Sequence, residues 1–127
     1  MSKKSALLIM FFILGTLLLF HVLIFTQVIP YDIVWAGKLK SVEEMKSFEL
    51  VSILINGFIL TVLGVKYKLL LQNKTNKLID ILIWLFVVFF TLNTVGNLFS
   101  KSILELVLGC FVTLISAILC YIIVRKD

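Results

Sequence analysis

Residues 6–29 read ALLIMFFILGTLLLFHVLIFTQVI, an apolar run interrupted only by Gly15, Thr16, His21, Thr26 and Gln27. A hydrocarbon layer about 30 Å thick takes roughly 20 mostly apolar residues of helix to cross, so this stretch suffices by itself. Three more apolar stretches follow, at 48–68, 78–99 and 103–124. The second is the weakest, because its apolar centre at 50–65 is short. Ser41-Val42-Glu43-Glu44 extends it upstream as a capping box, with the Ser41 hydroxyl on the Glu44 amide and the Glu44 side chain reaching back. Downstream, Tyr67 and 69–71 continue it, with Lys66 and Lys68 snorkelling to the headgroups. With 61% hydrophobic residues in 127 positions, no soluble fold hides so much apolar surface. The expected fold is all-α: a polytopic membrane protein forming one domain over 1–127, a four-transmembrane-helix bundle with a short interfacial segment or helix between helices 1 and 2.

A net charge of +5 would suggest nucleic acid in a soluble protein. Here the basic residues flank the spans, where they set orientation and meet anionic headgroups, so no nucleic acid is expected. Lys3, Lys4, Lys66, Lys68, Lys74, Lys77, Arg125 and Lys126 fall on one side, eight of the twelve; Lys38, Lys40, Lys46 and Lys101, the other four, fall opposite. The excess of basic residues predicts that both termini and the 66–77 loop are cytoplasmic, giving a multi-pass protein of the cell membrane. The basic start, Met1-Ser2-Lys3-Lys4-Ser5, resembles the head of a signal peptide. Its apolar run outlasts the roughly 7–15 residues of such a peptide, however, and no small-x-small site follows, so an uncleaved first span is expected. The two cysteines, Cys110 and Cys120, lie about 15 Å apart along one helix, beyond the roughly 7 Å that a disulfide bridges. Neither shows metal spacing, and no metal or cofactor is expected.

Pro30 is expected to end or kink the first helix, since it lacks an amide proton. Tyr31 and Trp35 follow where aromatic belts sit. The string IPYDIVWAGKLKSVEEMKSFE, Ile29 to Glu49, resembles that of small bacterial four-span integral membrane proteins, with Gly where this chain has Ala36 and Arg where it has Lys38. The segment from Leu92 to Phe99, LNTVGNLF, is similar to theirs too. The resemblance covers most of the chain and implies no activity.

Polar groups inside a membrane are the best pointers to a site, because each costs free energy unless partnered or hydrated. His21 lies about 22 Å above Ala6 along the helix, in the outer half. Glu49, Ser52 and Asn56 share one face of the descending second span at about 100° per residue. Asn93 and Asn97 stand one turn apart at the outer end of the third span, and Glu105 opens the fourth, where a carboxylate complements the helix dipole. Asp80 is the inner exception, read as a first-turn residue or a partner of Lys77. Together His21, Asn56, Asn93, Asn97 and Glu105, roofed by Asp32 and Trp35 with Tyr31, predict an outward-opening polar pocket for a lipid headgroup or small polar ligand. The alternative is structural: asparagines act as interhelical hydrogen-bond glue, worth about 0.6 kcal/mol on average, and Glu49, Asn97 and Glu105 sit at the interface. Glu105, Gly109, Thr113, Ser116 and Cys120 fall within about 80° on one face, a small-residue seam for close packing, within the chain or between copies.

Three classes of function fit this pattern. The foremost is a non-enzymatic binding, accessory or protective membrane protein, acting through the pocket or a partner membrane protein. The second is an oligomeric small-solute or ion channel or transporter, against which stand the bare cytoplasmic half and the lack of broken helices or a filter-like string. An enzyme is disfavoured, since a single histidine and no ligand spacing offer little machinery; its best version sets His21 with Glu105 as an acid/base pair on a lipid or sterol-like substrate.

Overall fold

The computed structural model describes residues 1–28, 41–99, 103 and 105–125. They form α1 (Lys3–Phe25), α2 (Val42–Leu71), α3 (Lys77–Asn97) and α4 (Cys110–Val124), the last preceded by a π-helical turn over Glu105–Gly109. No strand occurs among the described residues. Each of the four helical segments is long and apolar enough to cross a membrane. This is an all-α four-helix bundle with the make-up of a multi-pass membrane protein.

The helices start where side chains take up the amides that a first turn leaves without partners. Ser2 Oγ accepts from the Ser5 amide at 3.1 Å. Ser41 Oγ accepts from the Glu44 amide at 3.1 Å, as the capping box requires. Asn76 Oδ1 accepts from the amides of Leu78 at 2.9 Å and Ile79 at 3.3 Å. α2 therefore begins directly after the Ser41 cap, as the capping box predicts, six residues ahead of the span start at 48, and extends to Leu71.

α1 stops earlier than the sequence predicts. Rather than running to Ile29, it ends at Phe25, and Gln27 takes a left-handed backbone at φ 66°. The Gln27 amide donates to the Ile24 carbonyl at 3.0 Å and the Val28 amide to Leu23 at 2.9 Å. This paired closure satisfies the last carbonyls within the chain, so no proline is needed to stop the helix; Pro30 lies outside the described residues. Asn73 closes α2 in the same way at φ 54°, with Asn73 donating to Leu70 and Lys74 to Leu69. A left-handed non-glycine residue costs about 1–2 kcal/mol, partly offset by the entropy glycine loses on folding. Gln27→Gly is therefore expected to stabilise the bundle by roughly 0.5–1 kcal/mol, read as a higher melting temperature in detergent.

Around the bundle the order is α2, α1, α4, α3; α1 packs on both α2 and α4, α3 packs mainly on α4, and α2 meets α3 much less. The N-terminus, the end of α2 and the end of α4 border one depression, so they share one end, here termed the terminal end. The core lies in that half. Leu7, Met10 and Leu14 of α1, Ile59 and Leu63 of α2, Ile83, Phe86 and Phe90 of α3, and Leu119, Cys120 and Ile123 of α4 form one buried cluster. All lie within about 20 Å of the terminal end at 1.5 Å per residue. Phe58 and Phe86 meet edge to face across α2 and α3 at 5.9 Å between centroids.

Toward the far end this four-way packing is lost. Among the described residues, α3 has no buried position from Thr91 onward and α4 none before Ser116. Burial persists instead in α2, at Met45, Glu49 and Ser52, and at Ile24 of α1. The outward faces are apolar throughout: Phe12 is 76% exposed and Phe111 64%. Such faces would be ruinous in water and suit lipid, which offers them an apolar solvent.

Candidate functional site

His21 sits about 27 Å along α1 from Lys3, and Glu49 about 10 Å into α2 from Val42. The helices are neighbours, and the two side chains meet: His21 Nδ1 lies 2.6 Å from Glu49 Oε2. Glu49 is fully buried and the His21 side chain is 20% exposed. The histidine thus has a carboxylate partner in Glu49, while the expected Glu105 side chain lies outside the described residues. The sequence offers Glu105 for this role and sets Glu49 aside at the interface. A stronger signal was present: two consecutive antiparallel helices that share an end bring Glu49, on the same face as Ser52 and Asn56, level with His21.

The asparagines are satisfied locally. Asn56 Nδ2 donates to the Ser52 carbonyl one turn back at 2.9 Å, half-buried. Asn93 Nδ2 donates to the Phe89 carbonyl at 2.8 Å and is exposed. Asn93 therefore does not join His21. The backbone of Glu105 lies in the π-helical turn, and its side chain lies outside the described residues, as do Tyr31, Asp32 and Trp35 and most of the Ile29–Glu49 motif.

α3 and α4 are joined by a second polar set. Thr94 Oγ1 and Thr113 Oγ1 are 2.8 Å apart, Thr113 Oγ1 donates to the Gly109 carbonyl at 2.7 Å, and Cys110 Sγ donates to the Thr94 carbonyl at 3.6 Å. Thr94 also donates to the Phe90 carbonyl at 2.9 Å, so one hydroxyl of the pair carries its proton back to its own helix and the other bridges. Asn97 packs directly on Gly109, where a Cβ would stand 2.9 Å from Asn97 Cγ. The small-residue seam is therefore an intrachain contact with α3. The sequence shows the seam but not Thr94, whose role needs the register of α3 on α4.

Two outcomes test the seam. Gly109→Leu is expected to lower stability by about 1–3 kcal/mol through overpacking, with a smaller loss in an Asn97→Ala background. Leu108→Ile, on an exposed face, should melt like the parent. Deeper in the seam, Ser116 Oγ is the one fully buried side-chain polar atom among the described residues without a hydrogen-bond partner. Ser116→Ala should then be neutral or stabilising, since an unsatisfied hydroxyl costs about 1–3 kcal/mol.

At the terminal end Lys66 Nζ lies 2.7 Å from Asp80 Oδ1. Lys66 is only 2% exposed and Asp80 31%. Asp80 stands in the first turn of α3, as the sequence predicts, but the expectation for Lys66 fails. Lys66 does not snorkel outward, and Asp80 pairs with it rather than with Lys77. The α2–α3 hairpin turns Lys66 inward, against the first turn of α3. The two ion pairs stand about 25 Å apart along α2, near opposite edges of the span. Between Ser52 and Lys66 the buried positions of α2 are Ile59, Val62 and Leu63, all apolar.

Among the described residues no three His, Cys, Asp or Glu side chains group as a metal site. No protein-family model, curated protein or solved structure matches this chain.

Proposed function

We propose that this is a non-enzymatic binding protein of the membrane, holding the polar head of an amphiphile or a small polar ligand in the far half of the bundle. The carrying observation is the His21–Glu49 pair, its carboxylate fully buried and its imidazole partly so, in the half where four-way packing has been lost. Burying two ionisable groups in a membrane protein is costly compared with apolar side chains. The terminal half shows that this chain packs four helices with apolar residues, so packing alone gives no reason for the pair. Beyond the core the helices are tied as two couples, α1–α2 by His21–Glu49 and α3–α4 by Thr94–Thr113. A polar head fits between such couples while its apolar part remains in lipid. An accessory or protective role follows where the ligand is presented by a partner.

The apolar stretch of α2 between Ser52 and Lys66 argues against a polar path through one chain. Asn93, exposed on α3, favours the second reading, an oligomeric channel or transporter with its path between copies. Orientation supports an outward site: Lys3, Lys4, Lys66, Lys68, Lys74, Lys77 and Arg125 belong to the terminal end, which the positive-inside rule assigns to the cytoplasm.

A phospholipid carrying a photoreactive diazirine, added to the protein in vesicles, tests binding. Cross-links concentrated on 17–21 and 92–97 support the site; uniform labelling of all exposed faces rejects it. Uptake of labelled ions and small solutes above that of protein-free vesicles would favour the channel. Single cysteines at Ser41 and Asn73, in a chain lacking Cys110 and Cys120, test orientation with an impermeant thiol reagent. Intact cells should label position 41; labelling at 73 instead would invert the assignment.

A further inference from the structure

The depression at the terminal end belongs to neither ion pair. It is a half-open space of about 370 Å³ lined from three separate parts of the chain: Lys3 and Lys4 in the first turn of α1, Leu70 and Asn73 at the end of α2, and Ile122 and Arg125 at the end of α4. Three cationic residues thus border one space, and among the described residues no carboxylate lines it. The first turn of α1 also carries no acidic side chain, so the positive end of its dipole is not offset there. Asn73 is held at the rim by the left-handed closure of α2, which places an amide donor beside the cations. Leu70 and Ile122 are half-buried against the core cluster and give the depression an apolar side.

We propose that this depression binds the phosphodiester headgroup of an anionic glycerophospholipid. Lys3, Lys4 and Arg125 meet the phosphate, a role that the planar guanidinium fills with paired donors. Asn73 donates to a headgroup or glycerol oxygen, and an acyl chain descends along Leu70 and Ile122 into the bilayer. The volume lies within the 300–1,000 Å³ or so of small-molecule sites. Cations spread over a membrane surface attract anionic lipid as a class and are screened by salt. A depression with donors on one side and apolar residues on the other retains a particular lipid molecule. The site is independent of which way the protein faces and of the far-end ligand.

Native mass spectrometry of the full chain, released from mixed micelles of phosphatidylglycerol and phosphatidylcholine, reads the retained lipid directly. The expected result is at least tenfold preference for phosphatidylglycerol, with one lipid held per chain. Replacing Lys3, Lys4 and Arg125 together by Gln should abolish the preference. Replacing Lys68, Lys74 and Lys77 by Gln removes the same charge from the same end outside the depression, and should leave the preference within twofold. Equal losses in the two triple variants would overturn the site in favour of general surface attraction. Asn73→Asp, which leaves every helix residue intact, should reduce retention at least fivefold by setting a carboxylate against the phosphate; unchanged retention would overturn the proposal. Inorganic phosphate at millimolar concentration should not displace the lipid. If it does, and binds equally well in lipid-free detergent, the ligand is a free phosphate and the lipid assignment fails.

Discussion

Asp80→Ala is expected to lower stability by about 3–5 kcal/mol, the usual result of leaving a buried charge without its partner. The partner in question is Lys66, only 2% exposed and joined to Asp80 at 2.7 Å. The reverse change should be far milder. Lys66→Met keeps the length and apolar stem of the side chain and leaves Asp80, which is 31% exposed, able to reach water. Asp80 also lies in the first turn of α3, where the helix dipole favours a carboxylate by about 0.3–1 kcal/mol. The expected asymmetry is therefore several-fold between two halves of one bond. Thermal unfolding in a single detergent measures both variants. Equal losses would show that Lys66 is hydrated in the protein and that the pair is an ordinary surface contact. Asp80→Asn should fall between them, since it preserves a hydrogen-bond acceptor for the ammonium but not its charge.

The bundle was legible in the sequence for a physical reason. A span needs length and apolarity, and both are properties of a segment taken by itself. Even the weak second span was recoverable, because the Ser41 cap is a local signal. What the segment does not contain is its rotation relative to its neighbours. The seam on α4 could be seen as a face, but its partner Thr94 could not, since that depends on the register of α3. Lys66 and Asp80 both look like end-of-helix charges, free to snorkel or cap. Only the hairpin geometry directs one at the other. The early stop of α1 was missed for a different reason: a left-handed glutamine is rarer than a proline stop, and Gln27 carries no signature of the closure it makes. Of the candidate site, His21 was found from its isolation among leucines and phenylalanines. Glu49 was not singled out as its partner because Glu49 and Glu105 are both end-of-span carboxylates, and only packing brings Glu49 to it.

The largest functional effect is expected at His21–Glu49. His21→Leu should lower stability by about 1.5–3 kcal/mol, because the fully buried Glu49 carboxylate loses one charge-assisted hydrogen bond, that to the imidazole. Glu49→Leu should lower it less, by about 1 kcal/mol, since the imidazole left behind is partly exposed. The decisive variant changes both. A buried ion pair replaced by apolar residues of similar size is often neutral or stabilising, so the His21→Leu, Glu49→Leu protein should melt close to the parent or above it. If the pair exists to hold a ligand, that well-folded double variant should lose the diazirine cross-links at 17–21 and 92–97. Stability and labelling then separate, which a purely structural pair does not allow. A double variant that is less stable than either single one, yet still labels, would make the pair part of the scaffold and move the function elsewhere. The recovered stability of the double variant matters as much as its lost labelling. It would show that the chain tolerates an apolar contact at this level of the bundle, and that two ionisable groups are kept there against the preference of the surrounding lipid.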